Sequence, residues 1–221
     1  MVSSKVALIA GASGLVGNHC LHLLLQSHRY HKVISVGRKQ LDVKHPKLQQ
    51  LVVDFDHLEK HRHSLVADDV FCCLGTTIKQ AGSKENFRKV DYSYVVNLAK
   101  ITATHFATQF FVVSAMGADP EAGVFYNRVK GEMEQAVKAL PFTAVHIFQP
   151  SLLLGEREEF RLGEKVASGF AKTFGFVFSG PLRKYKAIEA RTVAKAMLEA
   201  AKQDGGGVLV HSNEQMHQLN D

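Results

Sequence analysis

The stretch Lys5-Val-Ala-Leu-Ile-Ala-Gly-Ala-Ser-Gly-Leu-Val-Gly17 decides the fold of this chain of 221 residues. Its apolar run over residues 6–10 predicts a buried β-strand, and the three glycines recur at intervals of three residues. An apolar pattern with helical spacing then begins at Leu15. Strand, glycine turn and helix in this order form the setting in which a glycine-rich loop binds a dinucleotide.

Each glycine of this loop has a separate expected role. Gly11 permits the tight turn, Gly14 lets backbone amides approach a pyrophosphate, and Gly17 lets the helix pack close to the strand. The N-terminus of the helix adds oriented N–H groups and a partial positive charge, and Ser13 and Leu15 are expected to line the same cofactor. The spacing is GxxGxxG rather than the commoner GxGxxG, so the glycines alone also allow a plain turn between two core elements.

Composition predicts one globular domain over residues 1–221. Hydrophobic residues make up 46% and charged residues 22% of the chain, which is ordinary for a soluble protein. No apolar stretch approaches the roughly 18 residues of a membrane helix, and because the first strand begins so early we expect no signal peptide. The three cysteines form no CxxC pair, which suits a reducing compartment, and we expect a cytoplasmic protein with no membrane partner.

The basic balance of the chain does not indicate a nucleic-acid-binding protein. The net charge is +6 and the isoelectric point is near 9.2, but the positive residues are scattered rather than arranged in a stripe. His57, His61 and His63 cluster without the spacing of metal ligands, so they are interpreted as an exposed helix face and no metal is expected.

Strands and helices alternate along the chain, which predicts a doubly wound parallel sheet with helices on both faces, the Rossmann type of α/β fold. Residues 79–84 are expected to form a loop, and a small substrate lobe is expected at residues 155–190. The predicted strands are residues 6–10, 33–36, 51–54, 69–75, 109–114, 142–148 and 208–210. The predicted later helices are residues 85–105, 126–140, 162–174 and 192–203.

The end of the second strand favours NADP over NAD. An NAD-specific site usually places a carboxylate here to hold the ribose 2′-hydroxyl, whereas this chain has Arg38 and Lys39. A guanidinium offers paired N–H donors to a 2′-phosphate. The alternative is that Arg38 is an exposed charge that closes a strand.

The other strand ends supply further candidate cofactor contacts, because ligands of open α/β sheets lie beyond the carboxyl ends of the strands. Asp54, followed by Phe55, can accept from an adenine amino group or can cap the next helix. Gly75, between Leu74 and Thr76, allows the backbone to pass close to a cofactor. Pro150 follows the sixth strand.

Ser114, Tyr126 and Lys130 form a second constellation, with catalytic potential. Four residues separate Tyr126 from Lys130, so both lie on one face of a helix. A nearby ammonium lowers the pKa of a phenol, which lets it exchange a proton with a substrate oxygen. Ser114 stands at a predicted strand end and can hydrogen-bond the same oxygen, and Lys130 can also hold the nicotinamide ribose. The Tyr–Lys pair alone is common on helices, and its meaning comes from the combination with the serine and the glycines.

Together these motifs resemble the short-chain dehydrogenase/reductase superfamily in its extended or atypical branch. More narrowly, they resemble the Tat-interacting-protein oxidoreductase group and its bacterial relatives. The resemblance implies phosphate binding by the three glycines, 2′-phosphate binding by Arg38, catalysis by Ser114, Tyr126 and Lys130, and passage of Pro150 beside the nicotinamide. The motifs that carry it are residues 11–17, Cys73-Leu-Gly-Thr-Thr77, Val90-Asp91-Tyr92, Val113-Ser-Ala-Met-Gly-Ala118, Tyr126-Asn-Arg-Val-Lys-Gly131 and Phe148-Gln-Pro-Ser-Leu-Leu-Leu-Gly155.

Three departures from the family pattern narrow the expected function. Asp91 stands where many relatives carry Asn, Gln149-Pro150-Ser151 stands where many carry Arg-Pro-Gly, and the segment after Gly155 is short. A short segment implies a small substrate lobe.

Two hypotheses of function remain open on the sequence. The first is an NADP-dependent oxidoreductase that acts on a small carbonyl or alcohol, with Tyr126 as proton donor or acceptor. The second is a non-catalytic NAD(P)H-binding sensor or regulatory scaffold with a protein partner. A monomer and a homodimer are both compatible with the sequence.

Overall fold

Seven parallel strands form the central sheet of the computed structural model, which describes residues 4–155, 186–203 and 205–218. Their order is β3-β2-β1-β4-β5-β6-β9, and a separate pair, β7 and β8, forms a small parallel sheet. The strands are β1 (Lys5–Ala10), β2 (Tyr30–Gly37), β3 (Leu48–Val52), β4 (Asp69–Cys72), β5 (Gln109–Val113), β6 (Ala144–Gln149), β7 (Leu153–Leu154), β8 (Ile188–Glu189) and β9 (Gly207–Ser212).

Helices cover both faces of this sheet, as a doubly wound fold requires. One apolar core lies between the sheet and helices α1 and α6, and the other lies between the sheet and helices α4 and α5. The α-helices are α1 (Leu15–Gln26), α2 (Ile78–Ala81), α3 (Lys84–Arg88), α4 (Tyr94–Thr104), α5 (Phe125–Lys138), α6 (Ala190–Ala200) and α7 (Asn213–Gln218), joined by a 3₁₀ helix (Phe55–Ser64) and a π-helix (Lys89–Ser93).

The predicted α/β class with a doubly wound parallel sheet is therefore confirmed. The expected helix at residues 162–174 and most of the expected substrate lobe lie outside the described residues. Within the described parts of the chain, no helix is both long and apolar enough to cross a lipid bilayer.

The strand order reverses between β1 and β4, which places a crevice at their carboxyl ends. Ala10 at the end of β1 pairs in register with Val36 of β2 and with Cys72 of β4. The residues that follow these three strands therefore leave the sheet at one edge. This edge collects the glycine loop, Arg38 and the segment around Gly75.

Two glycines of the loop sit where no other residue fits. Gly11 has φ +85°, and a Cβ atom there would lie 2.5 Å from the carbonyl oxygen of Cys73. A Cβ atom on Gly17 would lie 2.1 Å from the carbonyl oxygen of Gly11. Helix α1 therefore packs directly against the turn that precedes it.

The prediction of a loop at residues 79–84 is wrong, because two short capped helices occupy this region. The side chain of Thr77 accepts from the N–H of Gln80 at 3.1 Å and ends the loop before α2, and Ser83 accepts from the N–H of Asn86 at 3.0 Å before α3. Gly82, with φ +77°, separates the two. Helices of four and five residues are too short to produce an apolar periodicity in the sequence.

The close contact at Gly17 gives a stability prediction. Replacing Gly with Ala inside a helix normally stabilises it by about 1 kcal/mol, but Gly17→Ala forces a methyl group into backbone. We expect the unfolding free energy to fall by about 2 kcal/mol or more, measured by urea denaturation. Gly123→Ala is the matched control, because a Cβ atom there meets nothing within 4 Å. Equal unfolding midpoints for the two variants would contradict the packing described above.

Candidate functional site

The N-terminus of α1 is built to receive an anion. Gly14 caps the helix without a side-chain hydrogen bond, and no acidic residue lies in the first turn. The first internal hydrogen bond runs from the N–H of Asn18 to the carbonyl oxygen of Gly14 at 2.9 Å. The N–H groups of residues 15–17 therefore lack partners within the helix, and Ser13 lies exposed beside them. This donor set fits the pyrophosphate of a dinucleotide.

The structure places Arg38 and Lys39 at the same edge, directly after β2. Both side chains are exposed. Among the described residues, no carboxylate forms an ion pair with either of them. A guanidinium that is free of protein partners in this part of the chain suits the predicted 2′-phosphate contact.

Asp54 caps the 3₁₀ helix, which is the second of the two roles expected for it, the first being a contact with adenine. Its Oδ1 accepts from the N–H of Asp56 at 3.0 Å, and its Oδ2 lies 2.8 Å from Nδ1 of His57. The hydrogen bond from His57, followed by the backbone bond, holds the pKa of Asp54 below its usual value. Phe55 is buried in the core against Tyr94, so its side chain faces away from a ligand at this edge. Contact between Asp54 and adenine stays a prediction.

The segment after β4 lies over a buried pair of charges. A Cβ atom on Gly75 would lie 3.4 Å from Oδ1 of Asp91 and 3.9 Å from Nζ of Lys130. The N–H of Thr76 donates to Oδ2 of Asp91 at 2.8 Å. Leu74 is half-buried against the core on the α4 and α5 side of the sheet. The hydrogen bond from Thr76 to Asp91 therefore fixes the position of this segment.

Lys130 and Asp91 form a buried ion pair, with 2.8 Å between Nζ and Oδ1. Their side chains are 4% and 1% exposed, respectively. Burial acts to lower the pKa of Lys130, but the charge of Asp91, with smaller contributions from Tyr126 and the Asp91 hydrogen bond, raises it on balance. Lys130 is therefore an ammonium, and it also donates to the carbonyl oxygen of Val113 at 3.4 Å.

Tyr126 lies in the first turn of α5, one helical turn before Lys130. Its ring is half-buried, with its centroid 5.4 Å from that of Phe87 in α3. The structure therefore brings the phenol and the ammonium to one face of α5, at the carboxyl edge of the sheet.

Ser114 follows β5 and faces α5, but its hydroxyl is engaged. Its Oγ donates to Oε1 of Glu134 at 2.6 Å, and the residue is 4% exposed. Nε2 of Gln149 donates to the same carboxylate oxygen at 2.9 Å, and Nζ of Lys138 lies 3.3 Å from the other oxygen. A serine hydroxyl carries one proton, so Ser114 has only lone pairs left to offer in this arrangement.

Glu134 and Gln149 complete a network that the sequence did not reveal as part of the site. A signal was present, because Glu134 lies one helical turn after Lys130 and two after Tyr126. Pro150, which follows Gln149, is buried, and its carbonyl oxygen accepts from the N–H of Met116 at 2.9 Å. This bond ties the end of β6 to the segment after Ser114.

The His, Cys, Asp and Glu side chains of the described ranges are not gathered into a metal centre, at this edge or elsewhere. In those ranges, no group of three or more His, Cys, Asp or Glu side chains is arranged to hold a metal ion. Nδ1 of His57 is hydrogen-bonded to Asp54.

The Ser114–Glu134 contact predicts an energetic coupling. Removing the hydroxyl leaves a buried carboxylate with one donor fewer, so Ser114→Ala should lower the unfolding free energy by about 1–3 kcal/mol. In a double-mutant cycle with Glu134→Ala, which removes the accepting oxygen, we expect a coupling energy of at least about 1 kcal/mol. Additive effects of the two substitutions would show that the hydrogen bond contributes nothing to stability.

Comparison with known proteins gives a family. Residues 11–156 match the family described as NAD(P)H-binding. Protein HTATIP2 of Rattus norvegicus is 35% identical over 210 residues, which cover 93% of this chain and 85% of that protein. Protein fmp52, mitochondrial, of Emericella nidulans is 31% identical over 223 residues, which cover 98% of this chain and 95% of that protein.

Solved structures share the fold at low sequence identity. MoeE5 in complex with UDP-glucuronic acid and NAD superposes with a TM-score of 0.71 at 16% identity, covering 92% of this chain and 74% of MoeE5. A short chain dehydrogenase family protein from Francisella tularensis superposes with a TM-score of 0.64 at 15% identity, covering 98% of this chain and all of the other. These similarities support the fold.

The expectation of a cytoplasmic protein is contradicted by the relatives. The fungal proteins of Emericella nidulans, Aspergillus niger and Debaryomyces hansenii that this chain matches are each named mitochondrial. The expectation rested on cysteine usage, which does not distinguish one reducing compartment from another, and on an argument against a secretory signal peptide, which does not bear on mitochondria.

Proposed function

Because the chain belongs to the NAD(P)H-binding family and is an atypical short-chain dehydrogenase/reductase resembling HTATIP2, we propose that it is an NADP-dependent oxidoreductase acting on a small carbonyl or alcohol. The observation that carries the proposal is the buried Lys130 ammonium one helical turn from Tyr126. Both lie at the edge where the glycine loop offers free N–H groups to phosphates. The names of the fungal relatives favour a mitochondrial setting for this activity.

The residues of the site divide the work as follows. A bound nicotinamide cofactor supplies or takes up the hydride, and the protein supplies binding, position and a proton. The N–H groups at the start of α1 hold the pyrophosphate, and Arg38 holds the 2′-phosphate. Lys130 has three N–H donors, of which Asp91 and Val113 engage two, and the third is free to orient the nicotinamide ribose. Tyr126 exchanges its phenolic proton with the substrate oxygen.

A second candidate function is a nucleotide sensor that binds NADPH without turnover. The observation that favours it is the engagement of Ser114 with Glu134, since the hydroxyl then has no proton to donate to a substrate carbonyl. For catalysis, the Ser114 hydroxyl would either accept a hydrogen bond from the substrate or turn away from Glu134 and donate its proton to the substrate. Turnover separates the two candidates, whereas cofactor binding is common to both.

The proposed choice of NADP is tested by Arg38→Ala. The loss of a charge-assisted contact with the 2′-phosphate should weaken NADPH binding about 10-fold to 100-fold and change NADH binding by less than about twofold. Fluorescence titration with both nucleotides measures this. Lys44→Ala removes another exposed cation and is the control. An equal loss for both nucleotides, or no loss, would refute the 2′-phosphate assignment.

The proposed role of Tyr126 is tested by Tyr126→Phe. A panel of carbonyl compounds is first screened with NADPH by the nicotinamide absorbance to find one that is reduced. Loss of the proton donor should then lower kcat at least about 100-fold while the Kd for NADPH stays within about twofold. Tyr92→Phe, which keeps the ring that stacks on Arg88, is the control.

Two outcomes would overturn this assignment in different ways. Persistent turnover by Tyr126→Phe would remove Tyr126 as the proton donor. Tight NADPH binding without turnover of any compound by the wild-type protein would favour the sensor.

A further inference from the structure

An aromatic side chain stands exposed at the end of α4. Phe106 is 89% exposed, the highest fraction among the large apolar side chains of the described residues. Its backbone has φ +64°, in the left-handed region. The N–H of Phe106 donates to the carbonyl oxygen of Ala103, and the N–H of Ala107 donates to that of Thr102, both at 3.1 Å. These two bonds form a Schellman motif, with Phe106 in the position that glycine usually takes.

Phenylalanine is a poor residue for this position on two grounds. Its Cβ atom strains a left-handed backbone, which glycine adopts freely. Its ring also lies in water, so the apolar area of the ring contributes nothing to the stability of the fold. A bulky residue at a strained backbone position that adds nothing to the core points to a role outside the folded chain.

A second exposed apolar side chain lies on the neighbouring segment. Asp69 at the start of β4 pairs in register with Gln109 at the start of β5. Val66 and Phe106 each precede one of these residues by three positions, and Val66 is 49% exposed. Both therefore lie at the amino edge of the sheet, at the opposite end of the strands from the glycine loop.

Basic side chains line a depression of about 450 Å³ at this amino edge, between the 3₁₀ helix and the second half of α4. Two of its lining residues, His63 and His105, have ring centroids 6.0 Å apart. Arg62 and Lys100 add two exposed cations. Among its described lining residues, the only carboxylate is that of Glu59, whose Oε1 lies 3.4 Å from Nη1 of Arg62. The lining is therefore basic on balance.

A projecting apolar ring beside a group of cations fits the surface of an anionic membrane. There an aromatic ring inserts between the acyl chains, while lysine and arginine side chains meet the lipid phosphates. The net charge of +6 adds a long-range attraction to such a surface. A second copy of this chain fits less well, because it would bring the same cations face to face.

We propose that this amino edge docks the protein on an anionic phospholipid bilayer. Phe106 inserts its ring among the acyl chains, and Arg62 and Lys100 contact the headgroup phosphates. The expectation of no membrane partner rested on the lack of a long apolar stretch, which a peripheral contact does not need. The inference is independent of the proposed function, because the cofactor crevice lies at the carboxyl edge of the sheet and stays free in the docked protein.

The charge requirement is tested by sedimentation of the full chain with vesicles of phosphatidylcholine and phosphatidylglycerol, and with vesicles of phosphatidylcholine alone. The anionic vesicles should bind at least about 10-fold more tightly, and Lys100→Gln should lower that affinity about fivefold. Lys79→Gln removes an exposed cation of α2 at the carboxyl edge and should change the affinity less than about twofold. Equal affinity for both vesicles, equal losses in the two variants, or no binding overturns the proposal.

Phe106→Gly removes the ring without a loss of stability. Glycine is the favoured residue at this position of a Schellman motif, so the thermal unfolding midpoint should be unchanged or higher. Removal of the inserted ring should lower the affinity for the anionic vesicles about 10-fold or more. Val210→Thr is the control, because it makes a 43% exposed apolar side chain of the edge strand β9 polar at nearly the same shape. An affinity of Phe106→Gly within about twofold of the wild type, or an equal loss in Val210→Thr, contradicts the docking edge.

Insertion of the ring is measured directly with Phe106→Trp. The chain contains no tryptophan, so the indole fluorescence of this variant reports on position 106 alone. Its emission should shift to shorter wavelength when the anionic vesicles are added, because the indole leaves water for the membrane interface. Inorganic phosphate without vesicles should cause no shift. An unchanged emission while the protein sediments with the vesicles, or a shift with phosphate alone, overturns the insertion of this residue.

Discussion

The fold depends on a close backbone contact between the turn after β1, the residue after β4 and the first turn of α1, which leaves no room for side chains. The turn after β1 presses against Cys73 at the end of β4, and α1 presses against the same turn through Gly17. This contact sets the angle at which α1 leaves the sheet, and therefore the direction in which its free N–H groups point. A binding site for phosphates is thus a by-product of close packing, since the residues that allow the contact also leave the backbone bare.

The buried Lys130–Asp91 pair is the second constraint, and it holds several elements of the fold together. A pair of charges removed from water is costly unless both partners find further hydrogen bonds. Here Lys130 reaches the end of β5 through Val113, and Asp91 reaches the segment after β4 through Thr76. The pair therefore links α5, the π-helix and the ends of two strands. Loss of either charge would leave the other buried without its partner.

The sequence predicts the sheet well, because its strands are short apolar runs closed by glycine or polar residues, as in residues 6–10. It also places the glycines, Arg38 and Ser114 at one edge, since they follow parallel strands that end together, and it puts Tyr126 and Lys130 on one face of a helix. It did not predict α2, which rests on a cap by Thr77 rather than on periodicity. It did not predict the bond from Ser114 to Glu134, because contacts across 20 residues depend on how α5 is rotated against β5.

The parallel order of the strands also determines when the site is assembled during synthesis. Parallel neighbours cannot pair through a hairpin, so each pairing waits for the crossover and for the next strand to emerge. The glycine loop, Arg38 and the segment around Gly75 are complete once about a third of the chain has been made, whereas Tyr126, Lys130 and Pro150 follow much later. The residues of the glycine loop are therefore synthesised before Tyr126, the candidate proton donor. A nucleotide that settled there early would favour the docking of the remaining strands, because a ligand stabilises whichever state binds it.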